Sequence, residues 1–570
     1  MAYEVHVSRN GRWQIEGVAA SEVDATSDAR RRVSQAGVEG VRVVKEARGK
    51  FGQPEVVFEQ KGRGVSENVT LGTVDTTPQK CEEPDDLYGD DARQAMGKLF
   101  KNYSAKMNVT VSEVLYNPRE LKRVMEKDNL VTSAVSKVAS LQSAGESPQA
   151  AKERRDELFS MLDQVMAKAN AAEKVELPSI SKVGFSELEK AVATKAADAE
   201  EAEYLKRVAI SRELIDERSF LGKLDNAMKW AESVDPAVAV GALDEFIADA
   251  LNDATLVQDL LGPRENLLAA ILAMLDLLDG QMALAKGNEE QRKEINATTE
   301  RLNKLIASAR LPGAVDVIAD RIRGIINSRN PLMRDGTPEK EKDAFRQLVE
   351  RLVPAEGPIR TAPELFDALI ERGSRLLNLG GATGRLEALA FISRLPADPP
   401  RGLRFLMAIH DSSLRPPFEA KLQELFDDWI KTMDTAGAVH PSTKNPAFVM
   451  KAVTNLFYQV RDANLPEEIK KKFTEHLDTL LYKYVVEAKI LERVDDPNRP
   501  LRMRARMLVS MCLPDMLPPG RAVEAARPRV VGYLRQPNFT TEVVADLTDP
   551  AEKEKTLRDL FDVMKKAGFR

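Results

Sequence analysis

The densest run of side chains able to do chemistry lies between Arg493 and Gln536. Arg493, Arg499, Arg502, Arg504, Arg506, Arg521, Arg527, Arg529 and Arg535 stand there against only Asp495, Asp496, Asp515 and Glu524. A guanidinium presents a rigid, planar fork of donors that matches the oxygens of a phosphate or a carboxylate. Arg499, Arg502 and Arg506 recur at three- and four-residue spacing, so they share one helical face. That face is suited to an anion or an acidic partner.

A second anion candidate is Leu379-Gly380-Gly381-Ala382-Thr383-Gly384-Arg385, which opens a helix carrying Leu386, Leu389 and Ile392. Free amides at a helix start, with Arg385 beside them, suit an anion. The stretch lacks the Lys-Ser/Thr of a phosphate loop, and glycines between helices are routine stop signals. Arginines, in turn, often pair with carboxylates of neighbouring helices. The plainer reading at both places is therefore structural. Met503, Met507 and Met511, spaced by four, fit either an adaptable interface or, more simply, core filling.

Other chemistry finds no spacing to support it. His6, His410, His440 and His476 are scattered, and neither cysteine has a second metal ligand nearby. His410-Asp411 and Glu475-His476 place acid and base side by side, but adjacent residues point to different sides of a helix and no nucleophile motif accompanies them. Glu82, Glu83, Asp85, Asp86, Asp90 and Asp91 cluster without the spacing of a calcium loop. Gly62-Arg63-Gly64 has Glu67 where a dinucleotide-binding turn needs its third glycine. No catalytic residue, metal or cofactor is expected.

The totals narrow the class. With 83 Lys and Arg against 89 Asp and Glu, the formal charge is −6, too balanced to gather nucleic acid or anionic membrane as a whole. Cys81 and Cys512 lie far apart, the usage of a reducing compartment, and MAYEVHVSRNGRW has no basic start followed by an apolar run. A cytoplasmic protein without membrane contact is expected.

The elements that must position these residues are mostly helices. First comes a small ββαββ module over residues 1–60. Tyr3, Val5 and Val7 alternate with polar neighbours, Asn10-Gly11 suits a hairpin turn, and Trp13 and Ile15 continue on the return strand. Ser21 with Asp24 resembles a capping box for a helix running through Val33 and Ala36 to a Gly37 stop, followed by strands at Val41–Val44 and Glu55–Phe58. Residues 61–91 read as an acidic flexible linker.

Two helical regions follow, 92–310 and 311–570. The first contains a stripe of Leu158, Met161, Leu162, Val165 and Met166 and a central apolar helix, Pro263–Ala285, expected to be buried all round and to turn back through Gly287-Asn288. The second carries a long amphipathic run from Phe473 to Leu491, an extended piece at Thr541–Leu547 and a last helix opening at Asp549-Pro550. No fixed repeat is present, so the fold class is mostly α, a large irregular helical array with a small N-terminal α+β module. The function expected is a non-enzymatic cytoplasmic scaffold or adaptor that binds another protein. The alternatives are a ligand-responsive or phosphate-processing enzyme built on the glycine turn and the late arginines, and, disfavoured by the charge, a nucleic-acid-binding protein.

Overall fold

A computed structural model describes residues 3–9, 12–32, 40–45, 55–61, 71–74, 77–127, 129–217, 219–236, 240–285, 289–334, 336–359, 361–441 and 443–569. Asn10-Gly11, Val33 to Gly37, Gly62-Arg63-Gly64 and Gly287-Asn288 lie outside the described residues. The chain is mostly α, with 28 α-helices among the described residues and one small antiparallel sheet near the N-terminus. No described helix is long and apolar enough to cross a membrane.

Strands β1 (Tyr3–Arg9), β2 (Arg12–Ala19), β3 (Gly40–Lys45) and β4 (Glu55–Lys61) pair in the order β2-β1-β3-β4, and helix α1 (Glu22–Arg32) packs on the sheet. Period-two alternation puts Val5, Val7, Val41 and Val43 on one face, where they bury against Ala25 and Ala29 of α1. The capping box at the start of α1 is present: Ser21 Oγ accepts from the Asp24 amide and donates to its carboxylate. Register shifts between Val5 and His6 and between Val43 and Val44 mark β-bulges that increase local twist.

The helices start where proline permits. Pro118, Pro148, Pro312, Pro338, Pro363, Pro399, Pro446 and Pro550 each stand in the first helical turn, where the missing N–H would be unpaired in any case. The chain divides into two compact units, Met1–Leu256 and Val257–Arg570, each described here by itself.

Three segments differ from the sequence reading. The central apolar helix is shorter at both ends, Leu267–Leu278. Asn266 supplies an N-cap, its side chain accepting from the Ala269 amide, and Gly280 turns the chain at φ +67° where a Cβ would sit 2.6 Å from the Asn303 carbonyl oxygen. Leu267, Leu272 and Leu278 are only half-buried, so the helix is not enclosed on every side. The run from Phe473 is also not one helix: Glu467–Tyr482 passes into a π-turn at Lys483–Glu487, and Lys489, left-handed at φ +58°, precedes a short helix Ile490–Val494. Around Thr541 the chain makes a helical turn, Phe539–Glu542, rather than a strand. Val543 and Val544 are buried, and no described strand of this unit offers a ladder to join.

Candidate functional site

Arg385 does not face an open anion site. Its guanidinium donates to Asp367 and Glu371 on helix Pro363–Leu376 and lies over the Phe418 ring. The glycines beside it serve the backbone: Gly381 takes φ +64°, and Gly384 lies so close to Ser374 that a Cβ would sit 2.4 Å from the Ser374 hydroxyl oxygen. Most of the later arginines are engaged too. Arg502 donates to Asp546, Arg504 to Asp495, and Arg529 to Glu492, while Arg521 covers the Tyr482 ring and Arg527 the Phe569 ring.

Arg499 and Arg506 are different. Both are exposed on or just before helix Leu501–Met511, and among the described residues neither has a carboxylate within 4.0 Å; Arg499 instead rests 3.9 Å from the Met507 sulfur. That helix buries Ala505, Leu508, Val509 and Met511 and presents Met503 and Met507, 47% and 37% exposed, to solvent. The predicted shared face thus separates into Arg502, neutralised by Asp546, and an outward strip of Arg499, Met503, Arg506 and Met507. Arg385 belongs to a different pair of helices: its own packs on Pro363–Leu376 and Pro399–His410, whereas Leu501–Met511 packs on Arg521–Leu534 and Pro550–Lys566.

The most strongly perturbed ionisable groups lie in the first unit. Arg93 donates to Asp249 at 3.2 Å, Ser112 donates to the same carboxylate at 2.7 Å, and Arg207 donates to Glu245 at 2.6 Å. Burial pushes the Asp249 carboxyl above the usual carboxylate range, opposed by Arg93 and Ser112. Beside them Tyr88 and Tyr116 stack at 5.0 Å with Tyr204 edge-on, and Lys168 lies 4.7 Å above the Tyr204 ring. The bonds of Arg93, Ser112 and Arg207 to the Asp249 and Glu245 carboxylates tie helices Asp90–Met107, Val111–Leu115, Ala199–Leu214 and Gly241–Leu251 to one another.

The open space is elsewhere. A chamber of about 110 Å³ lies among helices Asp90–Met107, Val111–Leu115, Pro118–Met125, Leu130–Gln142 and Pro148–Glu173, closed on one side by residues 78–87. Its wall is apolar, with Leu99, Leu121, Val135 and Leu158 prominent. The ionisable groups on its wall are Cys81 and Tyr103. Burial raises the Cys81 thiol, with the Asp86 charge adding to it, and burial pushes the Tyr103 phenol up to about 12, so both are uncharged at neutral pH.

The segment closing the chamber is fastened by side chains. Gln142 donates to the Pro78 and Gln79 carbonyls, Arg154 donates to the Cys81 carbonyl at 2.7 Å, and the Gly72 amide donates to the Leu99 carbonyl. The acidic cluster serves the turn itself, Asp86 accepting from the Glu82 and Glu83 amides, which lowers its carboxyl pKa. Among the described residues no group of His, Cys, Asp and Glu has metal-binding geometry.

No protein-family model, curated protein or solved structure matches the chain.

The sequence reading passed over the chamber. Its signal was present as the helical spacing of Ala95, Leu99 and Tyr103 and of Leu121, Val124 and Met125, together with the Leu158 and Leu162 stripe. Spacing identifies inward faces but not whether they fill the space they enclose.

Proposed function

We propose that this chain is a non-enzymatic cytoplasmic scaffold that holds another protein through the outward strip of helix Leu501–Met511. The observation that carries the reading is the pairing of two exposed methionines, Met503 and Met507, with two guanidiniums, Arg499 and Arg506, that meet no carboxylate among the described residues. Met and Arg are enriched at protein interfaces, the first because its flexible thioether adapts to a partner's shape, the second because its fork grips carboxylates. The partner this strip fits is an acidic amphipathic segment: apolar side chains against the methionines, Asp or Glu reaching the arginines.

Two further observations support the reading. The raised Asp249 carboxyl of the first unit is engaged by Arg93 and Ser112, the raised Glu113 carboxyl by Lys223, and the chamber among the helices there has a largely apolar wall. Both cysteines are buried free thiols, which suits a reducing compartment.

The test is the affinity of the full chain for a synthetic acidic amphipathic helix and for the protein from which such a segment comes, in wild type and in an Arg499→Glu/Arg506→Glu variant. Charge reversal of two exposed residues leaves the fold intact. Binding should weaken at least tenfold and lose its salt dependence. Equal affinity in the two proteins contradicts the reading.

A further inference from the structure

Among the described residues three methionines are exposed, Met107, Met503 and Met507, and two of them belong to the outward strip of Leu501–Met511. Met107 and Met507 are equally exposed, at 37% each, but their surroundings differ. An Arg499 N–H donates toward the Met507 sulfur at 3.9 Å, whereas the Met107 sulfur, at the end of helix Asp90–Met107, has no such donor among the described residues. The bond is weak, because a thioether is a poor acceptor. The same sulfur is also a nucleophile toward oxidants.

We infer that Met507 is a peroxide-sensitive modification site whose oxidation Arg499 promotes, and that the product switches off the strip toward an acidic partner. The oxidant is hydrogen peroxide. The sulfur lone pair attacks one peroxide oxygen, an S–O bond forms as the O–O bond breaks, and the proton on the transferred oxygen passes to the departing hydroxide, leaving a sulfoxide and water. Sulfur gives up two electrons and peroxide takes them. Negative charge gathers on oxygen during the transfer, and the Arg499 N–H already directed at the sulfur can donate to it. In the product the same donor meets a sulfoxide oxygen, a better acceptor than the thioether, in a charge-assisted bond. Oxidation thus turns an adaptable apolar side chain polar and occupies one of the strip's two free guanidiniums. Met511, on the buried side of the same helix and 4% exposed, is shielded. The change is reversible, since sulfoxide reductases restore the thioether. Its consequence for binding rests on the strip reading; the modification site itself does not.

The test treats the full chain with hydrogen peroxide and follows sulfoxide formation at each methionine by peptide mass spectrometry. Met507 should oxidise roughly three- to tenfold faster than Met107, the worth of one hydrogen bond gained in the transition state, and Met511 should lag behind both. Arg499→Leu, a substitution at an exposed position, should bring Met507 to the Met107 rate, and in urea the two methionines should react alike. Equal rates in the folded wild type, or a Met507 rate unchanged in Arg499→Leu, overturn the inference. The oxidised chain should then bind the synthetic acidic helix roughly three- to tenfold more weakly, while Met503→Leu/Met507→Leu, which keeps the strip apolar, should bind it equally before and after treatment. Wild-type affinity that survives oxidation removes the switch. An untreated chain that does not bind the helix refutes the strip reading and the switch with it, and the rate comparison still decides the modification site.

Discussion

Lys223 and Glu113 meet in the interior of the first unit, the ammonium 2.5 Å from a carboxylate oxygen, with 1% and 0% of their side chains exposed. The other Glu113 oxygen accepts from the Thr110 amide, and Thr110 in turn accepts from the Glu113 amide, so one carboxylate caps helix Val111–Leu115 and anchors helix Phe220–Ser233. Desolvating two charges consumes most of what their attraction returns, so such a pair fixes which helices meet more than it adds to stability.

Breaking that pair from one side should therefore be far worse than removing both charges. Lys223→Met leaves the carboxylate buried alone and should cost about 3–5 kcal/mol in urea unfolding. Adding Glu113→Gln, which still accepts from Thr110, should restore most of the loss. A double variant no more stable than Lys223→Met would show that the charges matter for more than each other.

His410 gives the second unit a pH dependence. Burial, with the Arg415 guanidinium nearby, pushes its imidazole below the usual 6.5, while Glu419, Asp411 and a backbone contact with Asn464 pull the other way. The unfolded chain takes up a proton near pH 6.5 and the folded one only at lower pH, so stability is complete above that value and falls as pH drops toward the folded pKa. Unfolding measured between about pH 7 and pH 5 should show this slope, and His410→Gln should flatten it. An identical slope in the variant would assign the dependence elsewhere.

Gly402 is required by a close approach. A Cβ there would lie 1.7 Å from the Ser393 carbonyl oxygen, where helices Gly381–Ser393 and Pro399–His410 meet. Gly402→Ala should destabilise the chain by roughly 1–3 kcal/mol or more, despite alanine's better helix propensity. A neutral or stabilising effect by thermal unfolding would mean that these helices can separate freely.

Arg385 should prove structural. With Asp367 and Glu371 already on its guanidinium, millimolar inorganic phosphate should leave the unfolding midpoint unchanged, and Arg385→Ala should cost on the order of 0.5–1 kcal/mol. A phosphate-dependent rise present in wild type and absent in Arg385→Ala would restore an anion site at the glycine turn.

What the sequence disclosed and what it withheld follow from range. Features set by neighbours a few residues apart were legible: the alternation of β1, the Ser21 capping box, the prolines that open helices, and hence the mostly-α class. The ends of the central helix were misplaced because Asn266 and Gly280 compete with Pro263 and Gly287 as boundary signals, and only packing against Asn303 and Ala307 selects Gly280. The shared face of Arg499, Arg502 and Arg506 was visible as periodicity, but Asp546, which removes Arg502 from it, lies 44 residues away. The pair of Glu113 and Lys223 spans 110 residues, and no periodicity connects them. The chamber was hidden for the same reason, since its wall comes from five α-helices and the separate segment 78–87.

The most direct test of the scaffold reading is a photo-crosslinking amino acid placed at Met503 in the full chain, with Lys555 as an exposed control. The account predicts that Met503 crosslinks one defined protein at an acidic amphipathic segment, that Lys555 does not, and that Arg499→Glu/Arg506→Glu abolishes the crosslink without changing the unfolding midpoint. Equal labelling from the two positions, or a crosslink that survives charge reversal, would contradict it.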